Sequence, residues 1–157
     1  MIIAGTGHRP EKLGGYGPKA TARTYTAALR SLEHLKPERV ISGMALGWDQ
    51  ALAQAAIDTG IPFVAAVPFV GQERMWPTAS RDRYRALLDK AAEIVVVSEG
   101  GYSSTAMQAR NIWMVDHCDR VLALWNGDTA GGTANCIRYA RHRSIPISNA
   151  WKLFLAL

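Results

Sequence analysis

The side chains able to do chemistry in this sequence gather in five short segments, each rich in glycine or polar residues. The first is Gly5-Thr6-Gly7-His8-Arg9-Pro10. Exposed turn amides beside His8 and Arg9 can hold an anion or a base, and the plainer role is a tight turn with a solvated arginine. The dinucleotide fingerprint GxGxxG fails here, because it needs glycine where Pro10 stands and a helix at once. A Walker A loop is absent as well, since no glycine loop closes in Gly-Lys-Ser/Thr. The second segment runs Ser42-Gly43-Met44-Ala45-Leu46-Gly47-Trp48-Asp49-Gln50. Gly43 lets a ligand approach the backbone closely. Asp49, in a first helical turn, either complements the helix dipole or accepts hydrogen bonds from ribose hydroxyls or a base edge.

The third segment, residues 71–77, brings together the amide of Gln72, the carboxylate of Glu73, a guanidinium from Arg74 and the indole of Trp76. Trp76 can stack on a base while Gln72 or Glu73 reads its edge; alternatively the loop is a surface lid whose tryptophan packs down. The fourth, Met107-Gln108-Ala109-Arg110-Asn111-Ile112-Trp113-Met114, places Arg110 on an otherwise apolar helical stripe. Met107 and Met114 read as core. The fifth, residues 125–135, holds Gly131-Gly132-Thr133 at a helix start with Asn135 just beyond. Backbone N–H groups and the Thr133 hydroxyl make a phosphate cradle there, unless Thr133 is simply the N-cap.

The elements that must position these segments follow from periodicity. Short apolar runs at residues 1–6, 39–42, 62–67, 93–97, 120–125 and 146–148 read as strands. Amphipathic stretches at 19–35, 47–59, 81–92, 105–117 and 132–143 read as helices. This alternation predicts one Rossmann-like, doubly wound α/β domain over residues 1–157, its mostly parallel sheet flanked by helices. Such sheets bind ligands beyond the carboxyl ends of their strands, where all five segments fall. With 48% apolar and 20% charged residues, the chain buries a core and is not a disordered tail.

A net charge of +5 and a pI near 9.5 favour anionic partners. Two cysteines make no disulfide framework, and Asp116-His117-Cys118 is too sparse for a metal. No metal or cofactor is expected. The longest apolar stretch, 61–70, is broken by Pro62 and Pro68 and falls short of the roughly 20 residues that span a bilayer. The opening MIIAGTGHRP lacks the layout of a signal peptide, so a cytosolic protein with no membrane contact is expected.

Taken together, GTGHRP (5–10), SGMALGWDQ (42–50), MQARNIWMVD (107–116) and WNGDTAGGTAN (125–135) resemble the SLOG superfamily, and within it the YpsA-like branch. The resemblance implies a Rossmann-like pocket for a nucleotide or nucleotide-derived ligand, with a homodimer expected. Relatives include the LOG enzymes, which cleave the N-glycosidic bond of cytokinin nucleotides, DprA, which binds single-stranded DNA, and sensor domains that bind NAD-derived signals. Met107, Arg110 and Met114 match the LOG helix motif, with Asn111 in place of its lysine. Gly132-Thr133 match its phosphate loop, but the glutamate of that loop is Asn135 here. An amide cannot serve as a base at neutral pH, so hydrolysis would need Asp49 or Glu73, or Asp128, working with Arg110.

The leading expectation is a sensor or sequestering protein for such a ligand. Gly131, Gly132 and Thr133 cradle phosphate over Arg110, while Gly5, Thr6, Gly7 and Arg9 line the opposite wall. Asp49 holds ribose, and Gln72, Glu73 and Trp76 close over the base. A LOG-like N-glycosidase and a DprA-like nucleic-acid binder are the rivals. The latter draws on Arg81, Arg83, Arg85, Arg138, Arg141 and Arg143. The apolar segment 151–157 either folds back on the domain or meets a second subunit.

Overall fold

The four inner strands split their side chains between two apolar sets, and the computed structural model, which describes all 157 residues, shows where each set goes. Six strands, β1 (Ile2–Gly7), β2 (Arg39–Ser42), β3 (Phe63–Val67), β4 (Glu93–Val96), β5 (Arg120–Leu124) and β6 (Ile147–Asn149), form one sheet. Their order is β4-β3-β2-β1-β5-β6, and every neighbouring pair is parallel. Helices α1 (Pro18–Leu35), α2 (Trp48–Asp58), α3 (Thr78–Asp89) and the short α6 (Trp151–Leu155) cover one face; α4 (Ser104–Asp116) and α5 (Gly132–His142) cover the other. The domain is therefore Rossmann-like, as the alternation predicts.

Period-two geometry decides which residue meets which face. Ile3, Val40, Phe63, Ala65 and Leu122 join the core under α1 and α2. Ala4, Ile41, Val64, Ala66 and Val121 join the core under α4 and α5. By the same parity Gly5 and Gly7 face α2. A Cβ on Gly5 would lie 2.4 Å from Leu52, and one on Gly7 2.5 Å from the Trp48 ring. These two glycines are close-packing residues: they let the largest buried side chain of α2 lie flat on β1. Trp48 Nε1 then donates to the Leu122 carbonyl at 3.2 Å, so the indole is satisfied although fully buried.

Two features depart from the sequence reading, and a third matches one of its two alternatives. Helix α3 starts at Thr78, directly after Pro77, and stops at Asp89. Its end is early because the Ala92 N–H already donates to the Phe63 carbonyl, so the chain has entered the sheet by then. The long loop after β1 carries a single helical turn, Pro10–Lys12, begun by proline at its first position. Segment 151–157 folds back: Phe154 is buried, Arg23 stacks over its ring at 4.1 Å, and Arg23 Nε donates to its carbonyl. That apolar tail is spent within the chain. No helix is long and apolar enough to cross a membrane.

Gly7 and Gly132 give opposite expectations. Alanine at Gly7 must displace Trp48, and overpacking of this kind costs about 1–3 kcal/mol. Alanine at Gly132 meets nothing within 4 Å, so its cost should stay within about 0.5 kcal/mol. Denaturant midpoints of the two variants check this, and equal midpoints would contradict the packing role.

Candidate functional site

Crossovers run β1 to β4 on one side of the sheet and then return across β1 to β5, so a crevice opens between the carboxyl ends of β1 and β5. A cavity of about 330 Å³ occupies it. Its wall comes from the loop after β1 (Gly5, Thr6, Gly7, His8, Arg9, Glu11, Lys12), from Ala45 and Asp49, from one face of α4 (Met107, Arg110, Asn111, Met114), and from Ala130–Thr133. Gly5, Thr6, Gly7, His8, Arg9, Asp49, Arg110, Asn111, Gly131, Gly132 and Thr133 are thus brought together from loops far apart in sequence.

Arg110 is buried at the floor. Its Nη1 donates to the carbonyls of Gly43 and Ala66, and its Nε donates to Asn111 Oδ1 at 3.1 Å. Nη2 has no protein acceptor. Asn111 also spans to α5, with Nδ2 at 3.4 Å from the Gly132 carbonyl, and so fixes the arginine against the glycine loop. Gly43 lies between Arg110 and Asp49: a Cβ there would sit 2.6 Å from Arg110 Nη1 and 2.9 Å from Asp49 Oδ2. Glycine is obligatory because the two charges use the space a side chain would fill.

Asp49 is buried too, and one oxygen accepts from the Ala45 N–H at 3.3 Å. Burial pushes its carboxyl up to about 6, against the opposing pull of Arg110, the Ala45 N–H and Arg9. The loop that holds it is strained, with Met44 at φ 64, a left-handed conformation rare for a side chain of that size. Ser42 Oγ and Gln50 Nε2 brace it by donating to the Asp49 and Met44 carbonyls.

Helix α5 begins at Gly131, φ 100, with no side-chain cap; Thr133 lies inside the first turn and does not cap it. Its leading N–H groups therefore have no acceptor within the helix and face the cavity edge. His8 is buried, with Nε2 at 3.0 Å from the Asn126 N–H, and burial holds the imidazole below its ordinary value. The neutral ring ties the β1 and β5 ends together. Lys12 pairs with Asp128 at the cavity mouth, while Arg9 is exposed and makes no ion pair.

Several sequence candidates fall outside this cavity, Gly43 among them, since it packs between Arg110 and Asp49. Glu73 pairs with Arg85 at 3.5 Å and lines neither this cavity nor the hollow beside it. Asn135 is exposed and accepts from Arg138 on the outer side of α5. Gln72 and Trp76 line an adjoining hollow of about 360 Å³. Gln72 Nε2 donates to the Gly43 carbonyl at 3.0 Å and its Oε1 accepts from Tyr84, which fixes the orientation of the amide. Sequence reasoning missed Glu11 and Lys12, for which the one-turn helix after Pro10 was the available signal, and took Met107 and Met114 as core alone.

A family model described as the YspA SLOG family matches residues 3–148. The chain belongs to the YspA SLOG family. It is 33% identical over 119 residues to the uncharacterised SPbeta prophage-derived protein YoqJ of Bacillus subtilis, covering 66% of this chain and 69% of that one. Among solved structures it resembles DNA processing protein A (DprA) from Streptococcus pneumoniae, with a TM-score of 0.70 at 17% identity. That match covers 94% of this chain and 49% of the other, so the chain spans about half the length of DprA. It also resembles the molybdenum cofactor binding protein of Rippkaea orientalis, with a TM-score of 0.59, 17% identity, and 99% and 82% of the two chains covered. These likenesses establish the fold of the SLOG domain.

Asp49 gives this site a pH signature. An unfolded aspartate titrates near 4 and the folded one near 6. Between those values the native state holds a proton that the unfolded state has lost, so stability falls as pH rises through the window. The stability of Asp49→Asn minus that of the natural protein should therefore grow from pH 4 to 6 by on the order of 2 kcal/mol and level off above 7. Paired denaturation curves measure it, and a flat difference would mean that Asp49 ionises normally.

Proposed function

We propose that this SLOG domain binds a nucleotide or nucleotide-derived small molecule and holds it without turnover, as a sensor or sequestering protein. One observation carries the reading: an arginine with a free Nη2, buried at the floor of a cavity, shares that cavity with an uncapped helix N-terminus. Both are donors suited to a phosphate. In this reading Gly131, Gly132 and Thr133 take the phosphate over Arg110. Asn111 orients the arginine and Asp49 accepts from the ribose hydroxyls. Gly5, Thr6, Gly7 and Arg9 close the opposite wall, with His8 behind them, and Gly43 leaves room for the charged pair.

Holding is favoured over cleavage because two of the three carboxylates that hydrolysis would recruit are engaged elsewhere, Glu73 by Arg85 and Asp128 by Lys12, which leaves Asp49 without a carboxylate partner. A nucleic-acid interface is disfavoured by three of the six arginines it would draw on. Arg138 donates to the Thr129 carbonyl, Arg141 covers Trp125, and Arg143 pairs with Asp116. A homodimer rests on the family resemblance alone.

Mass spectrometry of small molecules released by denaturing the purified protein, with thermal shifts by added nucleotides, tests the reading. An intact nucleotide is expected. Free base or ribose phosphate would instead indicate hydrolysis, which Asp49→Asn should abolish. Arg110→Ala should weaken nucleotide binding about 10- to 150-fold, the loss of a charge-assisted bond. Thr133→Val should weaken it less and leaves the buried network intact. Unchanged affinity in both variants would overturn the assignment.

A further inference from the structure

The hollow beside the first cavity is a different chemical environment, and the two share Arg9 and Met107. Phe69, Trp76 and Tyr102 bring three aromatic rings to its wall. Phe69 and Tyr102 meet edge to face at 6.3 Å, and Trp76 packs edge to face on Tyr84 at 5.3 Å. Val70, Met75 and Tyr102 there are 72%, 91% and 74% exposed, three of the most solvent-exposed large apolar side chains in the chain. Apolar groups gathered in this way around a concave surface mark a contact site.

Its charge is equally unusual. Arg74 makes no ion pair and its side chain folds back over Gly71, with Nη2 3.2 Å from where a Cβ on Gly71 would be. Arg9, also unpaired, stands at the junction of the two spaces. The amide in this wall, Gln72, is held in one orientation by Gly43 and Tyr84. Stacking surface and unpaired positive charge are what this hollow chiefly offers a ligand.

We infer that the ligand is two-ended: a nucleoside phosphate in the first cavity is joined through a linking phosphate beside Arg9 and Arg74 to a second planar base stacked in the hollow. The class is a dinucleotide, and the inference rests on the nucleotide reading of the first cavity. Stacking on aromatic side chains tolerates any base, so the second base is selected weakly.

Titration with three probes tests it: AMP, the 5′-phosphorylated diadenylate pApA, and a ten-nucleotide oligoadenylate with a 5′-hydroxyl. The expected result is pApA binding about tenfold or more tighter than AMP, the worth of one stacked base. Arg74→Ala and Tyr102→Ala, both at exposed positions, should erase that gain and leave AMP affinity unchanged. Arg110→Ala should weaken AMP and pApA alike. Equal binding of AMP and pApA overturns the second subsite while leaving the nucleotide reading standing. Failure of both to bind overturns the nucleotide reading and the inference with it. Tight binding of the ten-mer, falling steeply with salt, overturns the small-molecule form in favour of a strand that passes through both spaces.

Discussion

The whole site hangs on two opposite charges buried side by side without touching. Asp49 and Arg110 form no ion pair within 4 Å, yet each lies within 3 Å of the place where Gly43 lacks a Cβ. Burying a charge is costly unless it is hydrogen-bonded. Here the guanidinium is satisfied by carbonyls at the ends of β2 and β3, through Gly43 and Ala66, and by Asn111. The same Gly43 carbonyl also accepts from Gln72, so one backbone oxygen ties the β2 loop, α4 and the loop after β3 together. The strain at Met44 and the bracing by Ser42 and Gln50 exist to present that loop. An anion reaching Nη2 would complete a half-satisfied fork, which is how a rigid scaffold stores affinity before its ligand arrives.

Much of the fold was legible because a parallel sheet covered on both faces writes itself as apolar runs separated by amphipathic helices. β2 was placed residue for residue, and α1, α2, α4 and α5 within a residue or two. What was not legible depended on long-range hydrogen bonds. The end of α3 is set by Ala92 pairing with Phe63, and α6 exists because Trp151 and Phe154 find a surface on α1. Neither partner can be read from the local sequence.

The site divides in the same way. Residue types and their placement after strands brought Arg110, Asp49, Thr6 and the Gly131–Thr133 loop to one cavity. Glycine was the ambiguous letter. Gly5 and Gly7 spare room for Leu52 and Trp48, Gly43 for a charged pair, while Gly131 and Gly132 face open space where a ligand can approach. All five look alike in sequence. Glu73 misled for a related reason: its loop does border a binding-sized hollow, but which side chain of a loop turns inward depends on Arg85, twelve residues on, in another element.

The position of Asn135 bears on what kind of protein this is. Glycosidic cleavage ordinarily uses a pair of carboxyl groups, one to donate a proton and one to stabilise or attack the sugar. Losing the family's glutamate could be repaired by a carboxylate from a neighbouring loop. The cavity wall offers Asp49 and Glu11, and Glu11 accepts from Tyr16 at 2.6 Å, which holds its carboxyl below its ordinary value and unfit as an acid. Asp49 alone remains. Burial holds its carboxyl near 6, so it is mostly ionised at neutral pH and accepts from hydroxyl groups, and the wall gives it no second free carboxyl with which to divide acid and base roles. A cradle of donors facing one buried acceptor is the arrangement on which the proposed holding of a phosphorylated sugar rests.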